Sequence, residues 1–381
     1  MQENIAKLEK IVSLKPDRIQ GKDVQCKEIL QNKYSVDDEV VIYGAGRIGR
    51  MLACVLEKNG VKVIGFLDKN AVSIHQENVF LPETFAKQEE NRKYPILIAL
   101  ALPIKAVEKI VKYLKELGFK DIENDRALMG CFCEFSMYQE SEVILQDYEE
   151  EILKAYQLFE EKESREIYCA CLKHYITKDV YDALESDAEC PYFNLEIPLA
   201  KGYSSFVDCG AYTGDSLLDL LKYEKCETYI GFEPDLQNFF QLEARVDDFD
   251  AEKKPSEIIL YPCAISNENE YLSFDSSASE SSSLVVGGNI KVPAVKLDDV
   301  LKQKCVDFIK MDIEGAEIAA LRGATRIISE QTPDLAICVY HKVTDLWEIP
   351  LLLKEMCEDY KFYLRTYNPG AGETVLYATT K

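Results

Sequence analysis

Residues 306–317, VDFIKMDIEGAE, join an apolar stretch to three carboxylates at Asp312, Glu314 and Glu317. The apolar residues predict a buried strand, and the acids stand where this strand gives way to a helix. A helix dipole stabilises each acid near its N-terminus by about 0.3–1 kcal/mol, which is one interpretation of Glu317. Asp312 closes the strand itself, where a carboxylate is largely removed from water and needs a partner. A substrate hydroxyl, a sulfonium or a bound cation would each supply that partner.

A second acidic pattern lies upstream, in SSFVDCGAYTGDSLLDLL. A predicted strand runs into a glycine turn and a helix, with Asp208 ahead of Gly210 and with Gly214 closing the turn. The next predicted strand, TYIGFEPD, ends at Glu233, which is 19 residues past Gly214. Asp208 can accept a hydrogen bond from the ammonium of an amino-acid moiety, and Glu233 can accept two from ribose hydroxyls. This set of groups fits S-adenosylmethionine.

The strands that follow complete this C-terminal unit. IILYPCAIS predicts a strand that would bring Cys263 and Ala264 beside an adenine, although simple core packing explains these small residues equally well. DLAICVYHK ends in Tyr340 and His341, and YKFYLRTYN and ETVLYATT predict two strands joined by the turn PGAG. A parallel sheet finished by an antiparallel hairpin is typical of Rossmann-like methyltransferases.

Methyl transfer to a hydroxyl requires positioning of the two reactants and removal of a proton. The candidates for the base are Asp312, Glu314 and His341, because ligands bind beyond the carboxyl ends of the strands in open α/β sheets. A neutral imidazole suits this task best at pH 7, but a strand-end histidine can equally be a hydrogen-bonded loop residue. The serine-rich segment 275–284 is either a hairpin tip or a lid. Aromatic side chains that would suit a sugar ring are Tyr212, Phe232 and Tyr340.

The N-terminal half contains a separate βαβ pattern. EVVIYGAGRIGR places Gly44, Gly46 and Gly49 between a strand and a helix, and the strand VKVIGFLD ends at Asp68, 19 residues beyond Gly49. This is the spacing of a dinucleotide-binding unit. No Tyr-x-x-x-Lys pair, which a short-chain dehydrogenase or sugar epimerase would use, occurs in this unit. NAD or nucleotide-sugar binding, a recognition module and a vestigial fold therefore all stay open.

Composition sets further limits. The chain has 381 residues and a net charge of −23, which opposes binding to nucleic acids and anionic membranes, because both need lysine and arginine to replace counterions. The polar segment MQENIAKLEKIVSL does not resemble a secretory signal, and no run approaches the roughly 20 apolar residues of a membrane span. We therefore expect a cytoplasmic protein with a small-molecule or glycan substrate.

Three units are expected along the chain: an N-terminal Rossmann-like domain (1–135), a helical connector (136–195) and a methyltransferase domain (196–381). The predicted fold class is therefore α/β with two Rossmann-like domains. The 13 cysteines and three histidines form no zinc-binding pattern. We assign no metal ligands from the sequence, apart from the cation considered for Asp312.

From about Tyr192 onwards the sequence resembles the FkbM family of S-adenosylmethionine-dependent methyltransferases. The resemblance is carried by FVDCGAYTGDS, GFEPD, CAIS, VPAVKLDDVL and, most specifically, VDFIKMDIEGAEIAALRGA. It implies a class I methyltransferase fold and methyl transfer, usually to a hydroxyl of a carbohydrate, glycan or secondary metabolite. Many members have Glu-x-His where this chain has VYHK, so the acid of that motif is missing here. The resemblance implies cofactor contacts from Asp208, Gly210, Gly214 and Glu233. We also expect cofactor contacts from neighbouring residues at these strand ends: Ala211, Tyr212, Thr213, Pro234, Cys263, Ala264 and Asp312.

The N-terminal half lies outside this family pattern. It is similar instead to Rossmann-like domains appended to sugar-modifying transferases. Two alternatives to a methyltransferase follow from that half: an NAD-dependent sugar-modifying enzyme and a non-catalytic protein that binds a nucleotide sugar.

Overall fold

The structure is a computed structural model and describes residues 2–14, 32–71, 78–100, 102, 104–124, 143–177, 186, 190–250, 252–275, 283–284, 290–368 and 372–381. It contains two β-sheets with helices around them and one smaller sheet. The predicted α/β class is therefore confirmed. Most of the serine-rich segment 275–284 and His75 lie outside the described residues.

The N-terminal sheet has five parallel strands in the order β3-β2-β1-β4-β5. Residues of β1 alternate between two buried clusters, one shared with α2 and the other with α4. Apolar residues on both faces of a strand are expected when helices cover both sides of a parallel sheet. The elements up to the end of this sheet are α1 (Gln2–Val12), β1 (Glu39–Tyr43), α2 (Arg47–Lys58), β2 (Lys62–Leu67), β3 (Val79–Phe80), α3 (Pro82–Ala86), β4 (Ile96–Ile98), α4 (Ile104–Glu116) and β5 (Ile122–Glu123).

The connector region forms α5 (Glu149–Leu158) and α6 (Lys162–Thr177). Both helices and α1 pack into the same buried cluster as the C-terminal sheet. Helix α1 therefore lies with the C-terminal core rather than with the strands that follow it in the sequence. The domain limits 1–135, 136–195 and 196–381 remain predictions.

The C-terminal sheet has seven strands in the order β8-β7-β6-β13-β14-β16-β15. The first five are parallel, and β16 runs antiparallel to both β14 and β15. The predicted parallel sheet finished by an antiparallel hairpin is therefore confirmed. The strands are β6 (Ser205–Cys209), β7 (Thr228–Phe232), β8 (Glu257–Tyr261), β13 (Phe308–Met311), β14 (Asp334–Cys338), β15 (Lys361–Thr366) and β16 (Thr374–Thr379).

A four-stranded sheet is inserted between β8 and β13. The single strand predicted for IILYPCAIS is wrong, because the chain leaves the large sheet after β8 and pairs with β12 from Ala264 onwards. The strands of the small sheet are β9 (Ala264–Ile265), β10 (Glu270–Asp275), β11 (Ser283–Leu284) and β12 (Ile290–Val295).

The helices of the C-terminal unit are α7 (Asp215–Tyr223), α8 (Leu236–Asp247), α9 (Leu297–Val300), α10 (Glu317–Arg322), α11 (Thr325–Gln331) and α12 (Asp345–Met356). No helix within the described ranges combines the length and the apolar character needed to cross a bilayer. The strand order reverses between β6 and β13, and such a switch point is where ligands bind in open α/β sheets. The carboxyl ends of these two strands therefore mark the place to look for a site.

Candidate functional site

A cavity of about 440 Å³ opens at the carboxyl ends of β6, β7, β13 and β14. It brings together many of the residues selected from the sequence, and it adds residues that the sequence analysis missed. The predicted residues that line it are Gly210, Tyr212, Phe232, Glu233, Pro234, Cys263, Ala264, Asp312, Glu314 and Tyr340, and the added ones include Tyr192, Asp215, Ser216, Asn238 and Lys310.

Asp208 lies beneath this cavity instead of facing it. Its side chain is fully buried, and its carboxylate accepts from the Tyr229 hydroxyl at 2.9 Å and pairs with Lys310 Nζ at 3.1 Å. The expected direct bond from Asp208 to a ligand's ammonium is therefore not available in this conformation. Ala211, Thr213 and Gly214 are also buried and absent from the cavity lining.

Lys310 is a buried cation at the site. Its Nζ donates to the carbonyl of Gly210 at 2.6 Å and lies 5.1 Å from the ring centre of Tyr192. Burial alone would lower the pKa of Lys310, but the Asp208 carboxylate raises it, with a further contribution from Asp312. The ammonium therefore stays charged and fixes the turn that follows β6.

The turn after β6 requires glycine at position 210. Gly210 has φ +81°, and a Cβ added there would lie 1.9 Å from the carbonyl oxygen of Asp312. The two strand ends at the switch point therefore touch through their backbones. This close approach brings the loop after β6 and the loop after β13 to the same cavity.

Glu233 follows β7 and is 6% exposed. One carboxylate oxygen accepts from the Tyr212 N–H at 2.9 Å and the other from the Asp235 N–H at 2.8 Å. Burial raises the pKa of Glu233 to about 7, although these backbone donors oppose the shift. Each oxygen has a second lone pair, so this carboxylate can accept two further hydrogen bonds from a ligand in the cavity.

Asp312 follows β13 and receives two tyrosine hydroxyls. Tyr192 donates to it at 2.9 Å and Tyr340 at 3.1 Å. Burial alone would raise the pKa of Asp312, but His341 and Lys310 lower it below its usual value. Tyr340 thus binds the acid of the neighbouring strand end.

Three carboxylates surround the imidazole ring of His341. Nδ1 lies 3.0 Å from Glu317, and Nε2 lies 3.4 Å from Asp312 and 3.7 Å from Glu314. Burial alone would lower the pKa of His341, but these acids, Glu317 foremost, raise it to about 9. An imidazolium accepts no further proton, and His341 is 3% exposed. The assignment of His341 as a neutral general base stays a prediction, and the raised pKa of His341 counts against it.

The segment between Asp312 and α10 is a tight turn rather than the start of a helix. Glu314 has φ 55° and Gly315 has φ 91°, which is the left-handed region. Because of this turn, the helix begins only at Glu317. The Glu317 carboxylate accepts from the Ile313 N–H at 3.0 Å and also contacts His341, so its role is more than that of an acid at a helix N-terminus. Burial raises the pKa of Glu314, whose side chain is 28% exposed at the cavity.

Residues 208–364 match the family model described as "Methyltransferase FkbM domain". This segment is an FkbM methyltransferase domain. The crystal structure of a methyltransferase FkbM from Methylobacillus flagellatus KT shares the fold, with a TM-score of 0.59 and 21% sequence identity. It covers 99% of this chain and 98% of its own.

Other similarities are weaker. An rRNA methylase from Streptococcus thermophilus is 15% identical, covers 46% of this chain and 85% of its own, and has a TM-score of 0.29. A TM-score this low does not indicate a shared fold or function. No curated protein sequence matches this chain.

Lys310 and Tyr192 are two of the residues at the FkbM domain's cavity that the sequence analysis missed. Lys310 lies inside FIKM, where a lysine in an otherwise apolar buried strand is itself a signal of a buried partner. Tyr192 precedes β6, the first strand of the C-terminal sheet, and falls in the predicted connector. Because it follows no predicted strand, the sequence did not indicate that it lies at the site. Both contact residues of the switch point.

The N-terminal glycine pattern outside the FkbM domain is also assembled. Gly44 follows β1, Gly46 precedes α2, and a Cβ on Gly49 would lie 1.9 Å from the Gly44 carbonyl oxygen. The Asp68 carboxylate accepts from the N–H of Ala45 at 2.9 Å and from that of Asn70 at 2.8 Å. The predicted residues therefore lie together, whether or not they bind a nucleotide.

Proposed function

We propose that the FkbM domain is an S-adenosylmethionine-dependent methyltransferase that methylates a hydroxyl of a carbohydrate, glycan or secondary metabolite. The observation that carries the proposal is the buried Glu233 carboxylate, held from both sides by backbone N–H groups at the edge of the cavity. A carboxylate fixed in this way is suited to accept the two hydroxyls of a ribose.

The charge of the cavity also fits this ligand. Asp215, Glu233, Asp312 and Glu314 line it, and the cation among the described lining residues, Lys310, is paired with Asp208. A ligand that carries a sulfonium and an ammonium is attracted to such a site. Bound there, S-adenosylmethionine would supply an electrophilic methyl group.

The chain's own residues would position the acceptor and receive its proton. Asp312 and Glu314 face the cavity, whereas His341 lies behind them as an imidazolium. Of the two carboxylates, Glu314 has the raised pKa and Asp312 the lowered one. Glu314 is therefore the stronger base, and the Asp312 carboxylate, fixed by Tyr192 and Tyr340, is suited to orient a hydroxyl.

Calorimetry with S-adenosylhomocysteine tests the proposal without knowledge of the acceptor. We expect the wild-type protein to bind this ligand and Glu233→Ala to weaken it by about tenfold or more, since two charge-assisted hydrogen bonds are lost. Glu243→Ala, which removes an exposed carboxylate of α8, is the matched control and should bind as the wild type does. Equal affinity in Glu233→Ala and Glu243→Ala would refute the cofactor assignment.

A second function, nucleotide binding by the N-terminal unit, is favoured by one observation. The carboxylates of Asp68 and Glu233 have the same pattern of hydrogen bonds. Each accepts from one backbone N–H in the preceding glycine turn, that of Ala45 for Asp68 and that of Tyr212 for Glu233. Each also accepts from the backbone N–H of the residue two positions after itself in the sequence. This likeness supports NAD or a nucleotide sugar as a ligand. Calorimetry with NAD and with a uridine diphosphate sugar, on the wild type and on Asp68→Ala, tests it, and no heat from either ligand would exclude it.

A further inference from the structure

Three acids surround the imidazole of His341 at the ends of β13 and β14. Nε2 lies 3.4 Å from Asp312 Oδ1 and 3.7 Å from Glu314 Oε2, whereas Nδ1 lies 3.0 Å from Glu317 Oε1 on the other side of the ring. The ring is 3% exposed. Nevertheless, Nε2 has no hydrogen-bond partner of acceptable geometry among the described residues. A buried polar atom without such a partner calls for an explanation.

The distances around Nε2 suit a shared cation. Two ligand atoms that bind one ion at about 2.1 Å lie about 3.0 Å apart in octahedral geometry and about 3.4 Å apart in tetrahedral geometry. The separation of Nε2 from the Asp312 oxygen, 3.4 Å, equals the tetrahedral value, and its separation from the Glu314 oxygen, 3.7 Å, is slightly longer. Glu317 adds a third acid next to this pair, because one of its oxygen atoms lies within 4.8 Å of an Asp312 oxygen and of a His341 nitrogen.

We propose that Asp312, Glu314 and His341 form a binding site for a divalent transition-metal cation, with Glu317 as the carboxylate that holds the imidazole. A metal-binding histidine usually donates its second ring N–H to a carboxylate, which fixes the ring and its tautomer. Glu317 is fully buried, contacts Nδ1, and is itself held by the Ile313 N–H. It therefore has the place and the support of such an outer carboxylate.

The ligand set favours Mn²⁺ or Zn²⁺ over Ca²⁺ and Mg²⁺. Ca²⁺ and Mg²⁺ prefer ligands that are all oxygen, whereas imidazole nitrogen suits the transition metals. A cation at Nε2 would take the place of the imidazolium proton.

The consequence for catalysis rests on the proposed function. Asp312 and Glu314 both line the cavity, so a cation held by them would be open to an acceptor hydroxyl. A metal-bound hydroxyl is more acidic than a free one, and a carboxylate that binds a cation through one oxygen keeps the other to accept the proton. The cation and Glu314 would then act on the same hydroxyl.

Binding of Mn²⁺ to the chelator-treated full-length protein, with no methyl donor present, tests the site. Free Mn²⁺ is counted from its electron paramagnetic resonance signal during a titration, and Zn²⁺ and Mg²⁺ are added as competitors. We expect one equivalent of Mn²⁺ to bind, Zn²⁺ to displace it and Mg²⁺ to compete poorly. Asp312→Asn and Glu314→Gln should weaken binding by about tenfold or more, and Glu317→Gln by about 10–100-fold.

Glu348→Gln is the matched control, because it neutralises an exposed carboxylate of α12, and it should bind Mn²⁺ as the wild type does. Glu314→Gln changes a partly exposed residue, so its fold should survive, which thermal unfolding verifies. No saturable binding of Mn²⁺ or Zn²⁺, or equal affinity in Glu314→Gln and Glu348→Gln, overturns the site. Protein that binds S-adenosylhomocysteine but no cation refutes only this inference, whereas protein that binds Mn²⁺ but not that nucleoside refutes the proposed function.

Discussion

Lys310 and Asp208 occupy directly paired positions on β13 and β6, and their side chains form an ion pair of 3.1 Å that is almost completely buried. Lys310 also donates to the Gly210 carbonyl, so the pair connects the central strands to the turn below the cavity. Burial raises the pKa of Asp208, while Lys310 and Tyr229 oppose the shift. The ion pair nearest the switch point therefore has a structural role, because it fixes the turn that borders the cavity.

Replacing one partner of this pair should be costly. Lys310→Met leaves Asp208 buried without its cation, and breaking a buried ion pair in this way costs about 3–5 kcal/mol. We expect the free energy of unfolding, measured by urea denaturation, to fall by that amount. Lys302→Met is the matched control, because Lys302 pairs with Asp299 on the surface and such pairs contribute about 0–1 kcal/mol. A loss in Lys310→Met as small as that in Lys302→Met would contradict the structural role of the pair.

The close approach of Gly210 to the Asp312 carbonyl predicts that alanine at position 210 lowers stability more than alanine at position 202. Gly210→Ala places a methyl group against the Asp312 carbonyl and strains a positive φ, whereas Gly202→Ala has a similar φ of +77° with nothing within 4 Å of the added methyl. The control should lose only the conformational cost of about 1–2 kcal/mol. Gly210→Ala should lose about 1–3 kcal/mol more from overpacking, measured by urea denaturation. Equal losses in the two variants would show that the strand ends can separate freely.

The strand ends of the C-terminal unit were predictable from sequence because the acids follow apolar runs directly. Glu233 and Asp312 each come one residue after a strand, and a parallel sheet brings such ends to one edge. The same argument placed Asp68 beside its glycine turn. Local pattern and sheet topology together are therefore enough to collect these residues.

The direction in which a side chain points was not predictable. Asp208 lies inside β6 and faces the core, where Lys310 meets it across the strand pair, and neither fact follows from a spacing of glycines. The charge of His341 depends on Glu317, which is 24 residues away in the sequence. The delayed start of α10 follows from the left-handed turn at Glu314 and Gly315, which a motif of acids does not reveal.

Glu233 predicts a pH dependence of stability. Its pKa is raised to about 7 in the folded protein, so the folded state binds this proton more tightly than the unfolded chain does. The protein therefore loses stability as the pH rises from the pKa of this carboxyl in the unfolded chain through about 7. We expect Glu233→Gln to gain free energy of unfolding relative to the wild type between pH 5 and pH 8, as measured by urea denaturation. A difference that does not change with pH would refute the raised pKa.

The same titration should control ligand binding in the opposite direction. Only the ionised carboxylate of Glu233 offers both oxygens as acceptors while Tyr212 and Asp235 occupy one lone pair of each. With a pKa of about 7, the ionised fraction falls about tenfold between pH 8 and pH 6, and the apparent affinity falls with it. We expect calorimetry to show S-adenosylhomocysteine binding about tenfold more weakly at pH 6 than at pH 8. In Glu233→Gln, which cannot titrate, the affinity should be lower at pH 8 and nearly the same at both pH values. A pH dependence that persists in Glu233→Gln would assign it to another acid at the cavity, such as Glu314.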